Sequence, residues 1–102
     1  MNARLARQAT TWLALATTLV LASTAAQADE AAIRKTLADR MPKLPKIDEI
    51  RPTAIPGIYE LRLGTDILYS DESGSYLLEG ALLDTKTQTD LTKERIDKLT
   101  MI

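Results

Sequence analysis

The 102-residue chain contains no cysteine and no histidine. Without thiol or imidazole it has no thiolate nucleophile, no redox pair, no imidazole base and no soft metal ligand, so only carboxylates, hydroxyls and lysines remain for chemistry. What is left implies no cofactor and no metal. The same absence excludes a lipid anchor on cysteine and a stabilising disulfide. Aromatic residues are scarce, one tryptophan and three tyrosines. The basic residues Arg34, Lys35, Arg40, Lys43 and Lys46 cluster, but acids interleave them and no stacking aromatic accompanies them, so a nucleic-acid face is not expected.

Acidic residues are missing from the first 28 positions, where Arg4 and Arg7 precede an uncharged apolar run over 12–22. A run of about 11 residues suits the apolar core of a signal peptide and falls short of the roughly 20 that span a bilayer. Ala26 and Ala28 place small residues at the two positions a signal peptidase reads. Cleavage between Ala28 and Asp29 is therefore expected, with the product in the periplasm and free of the membrane. An uncleaved anchor over 8–28 is the alternative, disfavoured by the short apolar core and the A-x-A site.

The expected mature part, 29–102, is at most one domain, and a chain this short buries only about 60% of its unfolded surface. Lacking a disulfide, it calls for a partner subunit or a neighbouring domain as its staple. The chain has 13 basic and 14 acidic residues, and two arginines lie in the leader, so the mature part carries 11 against 14, a net charge of −3.

Ile33, Leu37 and Met41 recur at helical spacing behind the acids Asp29 and Glu30, with Arg34, Lys35 and Arg40 following, an order that complements the helix dipole. The pattern predicts a helix over about 30–40, stopped by Pro42. Pro42 and Pro45 form a PxxP sequence, read as a rigid connector rather than a polyproline ligand. A short strand over 47–51 and a turn at Ile55-Pro56-Gly57 follow. Residues 58–63 alternate, with Tyr59, Leu61 and Leu63 on one side and Glu60 and Arg62 on the other, the mark of a half-buried strand. Gly64-Thr65 turns the chain into a strand at 67–69, and Asp71-Glu72-Ser73-Gly74 makes a polar hairpin loop.

Residues 76–83 are the most apolar part of the mature chain, on both faces of the expected strand. A sheet with one face on a helix does not account for this; a strand that also meets a second subunit does. Gly80 within it suggests a bulge or the close approach of another backbone. A polar stretch over 85–89 leads to a last helix, capped by Asp90 or Thr92, with Ile96 and Leu99 as a narrow apolar edge and Glu94 and Lys98 paired on its wet side. The narrow edge predicts an exposed connector helix. The whole is an α+β module with an antiparallel sheet.

The order Leu68-Tyr69, Asp71, Gly74, Tyr76-Leu77-Leu78, Gly80 and Leu82-x-Asp84, with the Pro56-Gly57 turn and Leu91-Thr92 at the start of the last helix, resembles the amino-terminal domain of the periplasmic disulfide isomerases DsbC and DsbG. The resemblance covers 29–102 and implies a cystatin-like fold, a helix laid on a curved antiparallel sheet, that forms V-shaped homodimers. It implies a dimer interface at Tyr76, Leu77, Leu78, Glu79, Gly80, Ala81 and Leu82, with chains passing closely at Gly80, and a cradle for unfolded or misfolded periplasmic clients. The family's last helix leads to a thioredoxin-like domain carrying a C-x-x-C pair, absent here, so the activity carries over to no residue and the chain is not expected to be an enzyme. Leu83 stands where the family usually has an aromatic. The expected organisation is a signal peptide over 1–28, a dimerisation domain over 29–88 and a linker helix over 89–102, truncated before the redox domain.

Two other readings compete. A free-standing periplasmic binding or inhibitory protein on the same scaffold predicts a monomer with a foreign partner. A carboxylate enzyme rests only on the acid pairs Asp29/Glu30, Asp48/Glu49 and Asp71/Glu72, more simply caps and turn residues; the Asp71 loop also lacks calcium-ligand spacing. Of the tyrosines, Tyr59 and Tyr69 are read as core and Tyr76 as an interface residue.

Overall fold

A computed structural model of the chain describes residues 25–101. The positively charged start and apolar run of the expected signal peptide lie outside the described residues.

Helix α1 covers 25–40 among the described residues, extending beyond the expected start at Glu30 and ending where expected. Ile33 and Leu37 point into the core, whereas Met41 is exposed. The helix has ended by then: Met41 N–H makes a last bond to the Leu37 carbonyl at 2.8 Å, and Leu44 N–H bonds the Met41 carbonyl at 3.0 Å. That closes a turn with Pro42 at its second position, where a fixed φ is favourable. The first half of the PxxP sequence is thus a tight turn.

Six strands follow: β1 (Glu49–Pro52), β2 (Ile58–Leu63), β3 (Asp66–Asp71), β4 (Leu77–Leu78), β5 (Leu83–Asp84) and β6 (Thr89–Asp90), then helix α2 (Leu91–Thr100). Strands β1 to β4 form one antiparallel sheet in sequential order, and β5 pairs with β6 as a separate ribbon. β1 starts two residues later than expected and ends one later, on Pro52, tolerated because β1 is an edge strand. β2 has the expected bounds and strict alternation of burial. The Ile55-Pro56-Gly57 turn is present, with Gly57 at φ +81 and an Ile58 N–H to Ile55 carbonyl bond of 3.1 Å, and Gly64 opens the two-residue β2–β3 turn at φ +65. Both require a backbone that glycine adopts without a Cβ penalty.

Register separates the faces of the sheet. Tyr59, Leu61 and Leu63 share one face, to which the pairings of Leu61 with Ile50 and Leu68, and of Ser70 with Leu77, assign Ile50, Leu68 and Leu77. Ile33, Leu37 and Ile47 pack there, and Leu44, Ile50, Leu68 and Leu77 seal the margin. Ile33 and Leu61 are fully buried, each worth about 1.5–3 kcal/mol in removed apolar surface. The opposite face presents Glu60, Arg62, Ile67, Tyr69 and Leu78, and α2 docks on it through Thr92, Arg95 and Ile96. Asp90 caps α2, accepting from Lys93 N–H at 2.9 Å. The expected exposed helix is therefore docked along one side, with the Glu94–Lys98 pair on its wet side as anticipated. The boundary expected after Gln88 falls at the start of β6.

Candidate functional site

The segment expected to be one strand over 76–82 is not one. Only Leu77 and Leu78 pair with β3, Ser70 facing Leu77 and Tyr69 facing Leu78; the chain then bends at Gly80 and re-enters extended structure at β5. Gly80 has φ +143, a region essentially closed to side chains. A Cβ there would meet nothing within 4 Å. Within this chain, then, the glycine is required by the bend and not by a crowding neighbour.

The approach to this segment is built by Asp71. Its carboxylate accepts from Tyr76 N–H at 3.3 Å and from the Ser73 hydroxyl at 3.0 Å. Burial alone would push the Asp71 carboxyl up, but the hydrogen bonds from Tyr76, Ser73, Ser75 and Ser70 hold it below the usual range. Gly74, at φ +73, seats the same loop against α1: a Cβ would lie 3.1 Å from the Ile33 backbone. The exit is equally fixed. Leu82 N–H donates to Thr92 Oγ1 at 2.9 Å, its carbonyl accepts from Leu91 N–H at 2.9 Å, and the Thr92 hydroxyl is also bonded to Tyr69 Oη.

Between these anchors the seven expected interface residues meet different fates. Leu77 turns towards the α1 core and Leu82 is half-buried, while Glu79, Gly80 and Ala81 are exposed. Tyr76 is 75% exposed and Leu78 53%, and Leu83, not among the expected residues, is 59% exposed. Tyr59 and Tyr69 are buried as anticipated. Beneath the bend lies a cavity of about 230 Å³ lined by Ile55, Ile58, Tyr69, Leu78, Gly80 and Leu82. β4 has no strand on its outer side among the described residues. The result is an open sheet edge flanked by exposed apolar side chains, held between two rigid anchors.

Sequence reasoning missed Thr92 and Arg95. A signal existed: positions 92, 95, 96 and 99 form one face of the last helix, and two of its four members are polar, the pattern of a helix docked by hydrogen bonds and ion pairs rather than left in water.

At the expected cleavage point, residues 25–28, including Ala26 and Ala28, are exposed parts of α1. Asp29 is the first engaged residue, its Oδ2 accepting from the Tyr59 hydroxyl at 2.6 Å. Three more of the paired acids are occupied: Glu30 pairs with Arg34 at 3.3 Å, Asp48 accepts from Gly64 N–H at 2.7 Å, and Glu49 lies between Arg62 and Arg95. Burial would raise the Glu49 carboxyl, but the Arg62 hydrogen bond and the charges of Arg95, Arg51 and Arg62 hold it below the usual range. Among the described residues no group of histidines or acids could hold a metal ion, and no helix is long and apolar enough to cross a membrane.

Residues 24–93 match the family model of the disulfide bond isomerase protein N-terminal domain, a span that takes in the sheet, the ribbon and the first turn of α2. The chain is 38% identical over 71 residues to the probable thiol:disulfide interchange protein DsbC of Bordetella avium, covering 70% of this chain and 25% of that protein. It is 44% identical over 46 residues to the protein of the same name from Bordetella pertussis, covering 45% of this chain and 16% of that one. The chain thus spans a quarter or less of the length of these relatives. No solved structure matches it.

Proposed function

The chain belongs to the disulfide bond isomerase N-terminal domain family, and from that premise we propose that it is the homodimerisation and substrate-cradling module of a periplasmic thiol:disulfide interchange protein, on a cystatin-like scaffold. With no cysteine, these residues hold no thiol for exchange; the chemistry belongs to a redox domain that the module serves. Two modules joined edge to edge hold two such domains across a cleft, raising the effective concentration of thiols around a bound client.

The observation that carries the reading is the open edge of β4 with Tyr76, Leu78 and Leu83 exposed around it. Unpaired edges invite other strands, and proteins cover, charge or pair them. Among the described residues no strand covers the outer side of β4, and the exposed side chains of Leu78 and Tyr76 give the margin an apolar surface. Pairing with its own twin satisfies the edge, buries these side chains and provides the staple that a small cysteine-free domain needs. The bend at Gly80 narrows the interface: Tyr76, Leu78, Gly80 and Leu83 face the partner, while Leu77 and Leu82 support it from behind.

The signal peptide enters the same reading. The expected cut between Ala28 and Asp29 falls where α1 passes from exposed residues to the first one bonded to the sheet, so it shortens α1 by its first turn and spares the contacts of the helix with the sheet.

Sedimentation of the protein recovered from the periplasm tests the interface through two variants. Gly80→Ala and Gly80→Arg share the backbone penalty of φ +143, and only arginine adds bulk and charge. A dimer for wild type and Gly80→Ala with a folded monomer for Gly80→Arg is the expected result. A monomeric wild type, or a Gly80→Arg dimer as tight as the alanine variant, defeats the proposal and favours a module with a foreign partner.

A further inference from the structure

Helix α2 is held to the sheet largely by charge. Arg95 Nε donates to Glu60 Oε1 on β2 at 2.9 Å and its Nη2 reaches Glu49 Oε1 on β1, with the Arg95 and Glu60 side chains 19% and 12% exposed. Glu49 Oε1 also accepts from Arg62 Nε at 3.2 Å, and Arg62 Nη1 lies 3.6 Å from Asp48. The signs alternate along the row Asp48, Arg62, Glu49, Arg95, Glu60, which crosses from the margin of β1 to the helix. Arg51, opposite Glu60 in the β1–β2 register, and Glu94 and Lys98 of α2 line the same cleft.

The two halves of the helix are anchored unequally. The first turn has the Asp90 cap, the Leu91–Leu82 backbone bond and the Thr92 hydroxyl. Beyond it, Arg95 is the polar attachment, and Ile96 and Leu99 are only half-buried. A half-buried ion pair holds only while both partners are charged and in place, since removing one leaves the other desolvated and unpaired.

We propose that this row of alternating charges is an electrostatic latch: weakening it releases the second half of α2 from the sheet, with the first turn as the hinge, while the α1 core stays folded. A ten-residue helix without tertiary support is marginal in water, so release also frays it. The latch would set how freely a domain carried beyond α2 swings; that consequence rests on the module reading above, and the latch itself does not.

Amide hydrogen exchange of the purified full chain, at salt of about 0.1 M and about 1 M, reads the latch directly, because the Debye length falls from about 10 Å to about 3 Å over that range. The expected result is exchange of amides in 95–100 about tenfold faster at high salt, with β2 and β3 unchanged. Glu60→Gln, nearly isosteric, gives the fast rate already at low salt and abolishes most of the salt response. Salt-independent protection of 95–100, or exchange there that rises in step with β2 and β3, overturns the proposal. A monomeric protein would defeat the dimer reading and leave this experiment intact.

Discussion

Each face of the four-stranded sheet is closed by a helix, and the two closures rest on different physics. Against α1, Ile33 and Leu37 meet Tyr59, Leu61 and Leu63 in a continuous apolar contact. Against α2, contact is made by the Tyr69–Thr92 hydroxyl pair, the Arg95 ion pairs and a partly exposed Ile96, and the margin beside it is left open over a cavity. Apolar burial is non-directional and contributes in proportion to area; hydrogen bonds and ion pairs fix direction but contribute little net energy each. The first face therefore supplies stability, and the second supplies placement, holding the 76–83 segment in one shape while leaving its outer side free.

The largest effect expected from this contrast is that of Leu61→Ala, which empties a fully buried site and should cost about 2–5 kcal/mol in urea or thermal denaturation. Ile96→Ala on the other face should cost about 1 kcal/mol, since its side chain is only half-buried. Equal losses for the two variants would break the comparison.

Next in size is Gly74→Ala. It combines a left-handed φ of +73 with a Cβ 3.1 Å from the Ile33 backbone, whereas Gly64→Ala meets a similar φ of +65 in open space. Gly64→Ala should cost about 1–2 kcal/mol and Gly74→Ala about 1 kcal/mol or more beyond that, because the hairpin loop must lift from α1. If the two cost the same, the loop is not seated on the helix as described.

The sequence was readable where a local pattern and its tertiary setting agree. Strict alternation located β2, the glycines located both tight turns, and the 33–37 spacing located the buried face of α1. Where a local pattern was ambiguous, context decided. An apolar run over 76–83 reads as a strand by composition, yet one glycine at φ +143 divides it. The β5–β6 ribbon was missed because two-residue strands have no period, and its turn is made by Gln88 at φ 55 with Asp84 accepting from Lys86 N–H, not by glycine. Leu83 belonged to the apolar run read as meeting a second subunit but not to the seven interface residues that the resemblance implied, and its exposure depends on that ribbon. Reading α2 as an exposed connector followed from counting only its apolar residues; Thr92 and Arg95 do the docking.

Thr92→Val sharpens the account of the second face. The hydroxyl serves Leu82 N–H and Tyr69 together, so valine keeps the shape and leaves two polar groups short of a partner, at a cost of about 1–2 kcal/mol. The exit of the 76–82 segment should also loosen, visible as faster amide exchange at Leu82. Unchanged exchange there would mean that the Leu91–Leu82 backbone bond suffices as the anchor.

The last effect, seen only at alkaline pH, concerns a polar contact at the margin of the apolar face. The Tyr59 hydroxyl donates to Asp29 at 2.6 Å, and that bond, with burial and the negative charges of Asp29 and Glu72, pushes its phenol up to about 12 from an ordinary 10.0. A pKa raised by folding means that the folded state holds its proton more tightly than the unfolded chain. The stabilisation is complete below pH 10 and is lost as pH climbs from there towards about 12. Stability measured across that window should fall more steeply for the wild type than for Tyr59→Phe, which has no phenol to titrate at this position; parallel curves would exclude the linkage. Asp29→Asn should flatten the slope in the same way, since it removes the charge that retains the proton. Because Asp29 is also the residue expected to begin the mature chain, a slope steeper for the wild type than for Tyr59→Phe in protein taken from the periplasm would mean that processing had retained Asp29.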